Sequence, residues 1–336
     1  MAGNSTANLS NRTTGFAVGK LLKRGQLDMV FERFGQVDKQ AKNKSKVRKY
    51  RRYLSLAPAN APLQEGVPPV GKQITFEDLT CSLEQFGDQI RITDVIVDTH
   101  EDPVLNEAMD LCGEQIAETI ELIRYEILRA GTNVFYANGV DSRALVAGPA
   151  QANDFKKIYR SFRRNRAKFI SEIIKATPQT ATEPVAPAFF AVAHSDCDAD
   201  LRAISGFVPV EKYADSSKSM PNELGKYENI RFLSINSAYP WELAGVSGTS
   251  NLSAGVAPSS AGKADVYPIL IFARDAYGIV PLQGEEAVDI KTYNPGQASP
   301  TDPLGQNGFV SWKTWQTAII LNQFYMARLE VAATAL

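Results

Sequence analysis

The chain has 336 residues, 44% hydrophobic and 22% charged, which excludes wholesale disorder and allows a large core without covalent staples. No run approaches the ~20 apolar residues that cross a bilayer, and Met1 to Thr6 lack the charged and apolar parts of a secretory signal, so the expectation is a protein made in the cytosol without a membrane partner. Three scattered cysteines (Cys81, Cys112, Cys197) exclude a disulfide framework or zinc site, and two histidines (His100, His194) leave little room for histidine catalysis.

The net charge of −1 hides a segregation. Residues 1–60 hold 13 Lys/Arg against 3 Asp/Glu, residues 61–131 hold 4 against 15, and the remainder balances at 19 against 19. A basic arm for nucleic acid, packing of the two segments, or complementarity between copies all fit this pattern. Because the compensating acid lies next door in the same chain, self-association within or between subunits is favoured.

Residues 1–45 are polar around an apolar set that includes Phe16, Leu21, Val30, Phe31 and Phe34, and read as an extended arm ordered by lying on another surface. The run Lys39–Arg52 carries eight Lys/Arg and ends in Tyr50-Arg51-Arg52-Tyr53. It reads as a solvated strand; a phosphate-tracking groove would need more aromatics and no acidic neighbour. Four prolines and two glycines then punctuate residues 57–71, too many for a regular element. Strand-like runs flank this stretch at Val47–Leu56 and Gln73–Ile92. The expected geometry is a long two-stranded arm with a proline-stiffened tip. An isolated hairpin is marginal in water, so the arm needs a partner surface, and the interface candidates are Arg48, Arg51, Arg52, Pro62, Leu63, Glu65, Pro68 and Pro69.

Asp102 as N-cap and Pro103 in the first turn open the clearest helix. Apolar residues recur at Leu105, Met109, Cys112, Ile116, Ile120, Ile123 and Ile127 before Gly131 stops it. Residues 103–130 would make a rod of about 42 Å, with one apolar stripe to lay across a sheet. A second, basic helix is expected over Asn153–Lys175. Buried strands are expected at Ala188–Ala193 and Val266–Ala273, a short helix over His194–Gly206, a long loop over Ser234–Lys263, and a strand through Gly308–Leu321.

No segment carries catalysis or a metal. Around Gly262-Lys263 a phosphate loop would need glycine at Ala257 and a hydroxyl at Ala264. In His194-Ser195-Asp196-Cys197-Asp198-Ala199-Asp200 a calcium loop would need glycine at Leu201 and glutamate at Phe207, and the run reads instead as a helix start where Asp and Ser cap free N–H groups. His100-Glu101-Asp102 reads as the lead-in to the long helix. No catalytic residue, cofactor or metal is assigned.

In order along the chain stand Pro62-Leu63-Gln64-Glu65-Gly66 with Pro68, Phe86-Gly87-Asp88 leading to Ile92-Thr93-Asp94, and Gly131-Thr132-Asn133-Val134-Phe135-Tyr136-Ala137. Ala193-His194 with Asp200-Leu201, Glu223-Leu224-Gly225, Asp275-Ala276-Tyr277-Gly278 and Gly308-Phe309-Val310-Ser311-Trp312-Lys313 follow. Taken together, from about residue 45 onward, they resemble the N4-like family of tailed-phage major capsid proteins. The resemblance implies an α+β, Hong Kong 97-type capsid fold: an N-terminal arm (1–45), an E-loop hairpin (46–93), a peripheral domain with the spine helix (94–133), an axial domain (134–300) and a returning peripheral strand (301–336). It implies a structural protein, not an enzyme, forming hexamers and pentamers that close into an icosahedral virion shell around double-stranded DNA held without sequence-specific contacts. Expected partners are further copies of the chain, a portal, a decoration protein and, because the region before the hairpin is short for a built-in scaffold, a separate scaffolding protein. Lys72 lies near the loop, but no cross-linking motif accompanies it. The competing reading is a nucleic-acid-binding protein using residues 39–52 and 153–175.

Overall fold

The computed structural model describes residues 29–60, 62, 65–66, 68–69, 71–95, 104–175, 181–213, 219–246, 263–283, 288–296 and 302–334, without the side chains of 104–105, 173–175 and 181–184. Residues 1–28, Leu63, His100–Asp102 with the expected cap and Pro103, and Gly255–Gly262 lie outside the described residues.

In chain order the elements are β1 (Gln36–Val37), β2 (Val47–Tyr53), β3 (Phe76–Ser82), β4 (Glu84–Thr93), α1 (Val104–Arg129), β5 (Val134–Tyr136), α2 (Ala152–Arg164), β6 (Ile170–Lys175) and β7 (Ala181–His194). There follow α3 (Asp198–Arg202), β8 (Val208–Pro209), β9 (Glu223–Tyr227), β10 (Ile230–Ile235), β11 (Tyr267–Phe272), β12 (Tyr277–Ile279), β13 (Val288–Tyr293), β14 (Asn307–Gln316), β15 (Ala318–Ile320) and β16 (Met326–Val331).

The main sheet runs β5-β16-β11-β7-β10-β9-β8, with β6 also paired to β7. Its central strands are buried on both faces, which is why they read as continuous apolar runs. Along β7, Phe189, Ala191 and Ala193 face one core with Phe155, Ile158 and Phe162 of α2. Phe190 and Val192 face the other, with Tyr125 and Leu128 of α1 and with Val30, Phe31 and Phe34 of the arm. The two helices therefore cover opposite faces of one sheet.

A second sheet, β13-β14-β4, carries the N-terminal half of α1. Ala108, Met109, Cys112, Ile116 and Ile120 pack on Ile92, Val310 and Trp312, and the Trp312 indole donates to Gln115 Oε1 at 3.0 Å. The long helix lies across a sheet as the periodicity predicts, and its C-terminal half continues onto a second one. Two glycines permit the close strand approach here. A Cβ on Gly87 would sit 2.5 Å from the Trp312 carbonyl, and one on Gly308 would sit 2.5 Å from Pro295 Cδ.

Several expectations are corrected. The run 73–92 is two strands: the chain turns at buried Leu83, so β3 pairs with β2 while β4 pairs with β14 over ten residues. The basic helix ends at Arg164, not Lys175, because Arg166 takes φ 57° while the Ala167 and Arg166 N–H groups donate to the Phe162 and Arg163 carbonyls. This is a Schellman stop built without glycine, and β6 follows it. The start of the loop expected over 234–263 is instead the end of β10.

The arm expected to lie on another surface lies, from Val30 to Phe34, on its own chain. Glu121 of α1 holds it, accepting hydrogen bonds from Val30 N at 2.7 Å and Phe31 N at 3.1 Å, while the Tyr277 hydroxyl donates to the Phe31 carbonyl at 2.6 Å. Among the described residues no helix is long and apolar enough to cross a membrane.

Candidate subunit interface

β2 and β3 form a two-stranded sheet of their own, with no third strand among the described residues. Its base is pinned to the body by the Arg48–Asp38 ion pair and by Arg48 Nη1 to Gln40 Oε1 at 3.2 Å, and its far end by Arg52 Nη1 to the Leu321 carbonyl at 3.3 Å. Buried Leu83 closes the base through its N–H to the Lys46 carbonyl.

The register sets Arg51 opposite Asp78 and Arg52 opposite Glu77. Arg51 makes a two-pronged contact with Asp78 at 2.7 and 2.8 Å, and that hydrogen bond holds the Asp78 carboxyl below its ordinary value. Arg52 closes on Glu77 at 2.5 Å. Burial, with Asp38 beside it, pushes the Tyr50 hydroxyl up to about 12. The charge segregation read in the sequence is thus partly resolved inside the hairpin.

Of the proposed interface residues, the structure gathers Arg48, Arg51 and Arg52 onto β2 with these carboxylate partners. Pro62, Glu65, Pro68 and Pro69 are exposed beyond the strands, with a turn at Glu65-Gly66, and Leu63 lies outside the described residues.

The sequence reading missed the hairpin's apolar surface. Of the fourteen large hydrophobics exposed among the described residues, six sit here: Val47, Tyr53, Leu54, Leu56, Ile74 and Phe76. Tyr53 and Phe76 are cross-strand partners with rings 6.4 Å apart, and the Arg51 guanidinium lies 4.1 Å from the Phe76 ring. Grouped exposed apolar side chains on one projection mark an interaction surface. The signal available beforehand was the pairing of aromatic Tyr53 and Phe76 across the proline-rich stretch.

The other candidate sites resolve into structure. His194 Nδ1, not Ser or Asp, accepts the Asp196 N–H at the start of the short helix. Asp196 accepts from the Tyr267 hydroxyl, Asp198 from the Ser234 hydroxyl and Asp200 from Thr334 N, tying β11, β10 and the C-terminal segment to the turn after β7. Among the described residues no group of three or more His, Cys, Asp or Glu is placed to hold a metal. The basic run 39–52 pairs its three arginines with carboxylates of its own chain, while its five lysines, Lys39, Lys42, Lys44, Lys46 and Lys49, are exposed. Along α2 and beyond its end, Lys156, Lys157, Arg160, Arg163, Arg164, Arg166 and Lys168 are all exposed.

The sequence model of a family described as phage capsid protein matches residues 77–327. Among solved structures, the capsid of Ralstonia phage GP4 superposes with a TM-score of 0.61 at 11% identity, covering 91% of this chain and 91% of that one. The head structure of Helicobacter pylori bacteriophage KHP40 gives 0.59 at 13% identity over 88% and 87%. The capsid of Cyanophage P-SCSP1u gives 0.56 at 12% identity over 90% and 88%. At such identities the likeness is one of fold. No curated protein matches the chain.

Proposed function

This chain belongs to the phage capsid protein family, and from that premise we propose that its β2–β3 hairpin is the element that joins neighbouring copies in the shell. The family membership makes it a major capsid protein of the virion, a structural protein rather than an enzyme, and its mixed helix-and-strand architecture is the tailed-phage, Hong Kong 97-type fold. The observation that carries the proposal is the exposure of Tyr53, Ile74 and Phe76 on a two-stranded projection that pairs with no further strand among the described residues. Covering such side chains contributes roughly 1–2 kcal/mol each, repeated at every copy around a capsomer.

Within this reading, copies assemble as hexamers and pentamers into an icosahedral shell around double-stranded DNA bound without sequence preference. We assign the chain to the N4-like subfamily on the collinear motifs quoted above. The arm to residue 45, the hairpin, the peripheral domain around α1, the axial domain from 134 and the returning strand after 301 keep those roles, with β4 and β13 counted in the peripheral domain because they pair with β14, and β16 in the axial domain because it pairs with β5 and β11. A separate scaffolding protein, a portal and a decoration protein are the further partners, and assembly takes place in the host bacterial cytoplasm.

The test replaces Tyr53, Ile74 and Phe76 by serine in the full chain. The expected result is an unchanged melting transition with a rise of about tenfold or more in the concentration needed to assemble, read by sedimentation. Reversing Arg48, Arg51 and Arg52 to glutamate acts on the same element by unpairing Asp38, Asp78 and Glu77, and also lowers assembly. Normal shells from both variants would remove the hairpin from the interface.

A further inference from the structure

Between the middle of α1 and the chain flanking β9 and β10 lies a pocket of about 460 Å³, whose polar lining is Glu118, Glu121, Asn222, Ser234, Asn236 and Ser237. Glu118 and Glu121 stand one turn apart on the same face of α1. Glu121 is 2% exposed. Its Oε1 is taken by the Val30 and Phe31 N–H groups, and its Oε2 is buried with no hydrogen-bond partner. The Ser234 hydroxyl is committed to Asp198. No hydrogen bond or ion pair among the described residues engages the side chains of Glu118, Asn222, Asn236 or Ser237. The two loop segments of the rim are joined through the Ser234 N–H, which donates to the Asn222 carbonyl at 2.9 Å, with Asn222 in the left-handed region at φ 64°.

A buried carboxylate oxygen without a partner is rare in a folded protein and calls for a ligand. The cations of the chain nearest to it are turned elsewhere. Arg124 closes on Glu32 at 3.3 Å, Arg33 Nη1 lies 3.5 Å from the Pro221 carbonyl, and neither donates to Glu121 Oε2. The polar side chains around the pocket are carboxylates, amides and hydroxyls, which is the oxygen donor set of a hard cation rather than the nitrogen and sulfur set of zinc or copper. Two carboxylates completed by neutral oxygens and water suit calcium, which accepts six to eight oxygens in a flexible arrangement. Since a water occupies about 30 Å³, the pocket has room for the ion with part of its hydration shell.

We infer that this pocket binds a partly hydrated calcium ion through Glu118, Asn222, Asn236 and Ser237, with the Glu121 carboxylate at its inner side. Because the other oxygen of Glu121 holds Val30 and Phe31, the ion is coupled to the arm, and its binding restrains residues 30–34 against α1. The site goes beyond the capsid reading and does not depend on it.

The test uses the unassembled full-length chain, stripped with EDTA and held at about pH 8. That lies above the value of about 7 to which burial pushes the Glu121 carboxyl, so the group carries its charge. With two carboxylates the dissociation constant is expected at about 0.1–1 mM. Calcium at about 5 mM should then raise the melting temperature by about 2–4 °C over sodium chloride of equal ionic strength. Hydrogen exchange at residues 30–34 should slow by about threefold or more.

Each variant is compared with its own ion-free melting. Glu118→Gln and Asn236→Ala are expected to lose most of the shift, whereas Glu107→Gln, an exposed carboxylate further along the same helix, keeps it. Circular dichroism checks the fold, and the asparagine variant decides alone where the glutamine variant unfolds. No rise with calcium, an equal rise with sodium chloride, or a full rise in both Glu118→Gln and Asn236→Ala would overturn the site. A rise with putrescine but none with calcium would overturn it too, and assign the pocket to an organic ammonium. None of these outcomes bears on shell assembly, which sedimentation reads separately.

Discussion

Replacing Glu330 by glutamine lowers the stability of the folded subunit by about 3 kcal/mol, read as a fall in the urea midpoint, because it leaves buried Arg328 and partly exposed Arg143 without their anion. Glu330 lies fully buried on β16. Its two oxygens take Arg143 Nε at 2.7 Å and Nη2 at 2.9 Å, and Arg328 Nε lies 2.9 Å away without the alignment of a hydrogen bond. Above them sits Trp241, with the guanidinium centres of Arg143, Arg129 and Arg328 at 3.6, 3.9 and 5.2 Å from its ring. Arg328 also donates to the Arg129 carbonyl at the end of α1.

One carboxylate therefore serves a knot that joins α1, β16 and the loops after β5 and β10. The hydrogen bond to Glu330 raises the Arg143 guanidinium above its ordinary value, while burial lowers that of Arg328. Glutamine keeps the shape and one acceptor but removes the charge. An unchanged urea midpoint would mean that Trp241 and the backbone carbonyl suffice to hold the three arginines.

The second large effect is expected at Glu121. Alanine there strands the Val30 and Phe31 N–H groups in a buried site, at about 1–3 kcal/mol each when no partner replaces the carboxylate. Alanine also frees the arm, so hydrogen exchange at residues 30–34 should rise along with the loss in stability.

The pH dependence separates charge from shape. Burial pushes the Glu121 carboxyl up to about 7 from the ordinary 4.5, against the pull of Arg124 and of the two amides. Glu32, paired with Arg124 at 3.3 Å, and Tyr277 also face it. A folded value above the unfolded one means that the stability linked to this group is complete below about 4.5 and is lost as pH rises through about 7. Glu121→Gln should therefore flatten the wild-type decline between about pH 5 and 8 while keeping an acceptor for the arm. An unchanged slope in that variant would show that Glu121 does not titrate there.

The parts of the fold legible beforehand are those in which one periodicity persists. The 103–130 helix is observed at Val104–Arg129, and the apolar runs 188–193 and 266–273 became β7 and β11. β16 was missed because Arg328 and Glu330 interrupt its apolar pattern, and both are buried only through the knot around Trp241. The end of α2 was misplaced because Arg166 occupies a left-handed position where glycine is the usual sign. The division at Leu83 left no composition signal, since strand-forming residues continue on both sides.

At the candidate interface the arginines were legible and their partners were not. Which carboxylate faces Arg51 depends on a cross-strand register that spans the proline-rich stretch. Nothing in the sequence sets Glu121 apart from the other carboxylates of α1, and only the folded arm turns it into a buried clamp.

The central claim, that this chain builds a shell through contacts between its own copies, is tested most directly by electron microscopy of the purified full-length protein at high concentration, alongside sedimentation. Rings of five or six subunits, curved sheets or closed shells are the predicted result. A monodisperse monomer or dimer that persists with crowding agent or added scaffold would contradict it.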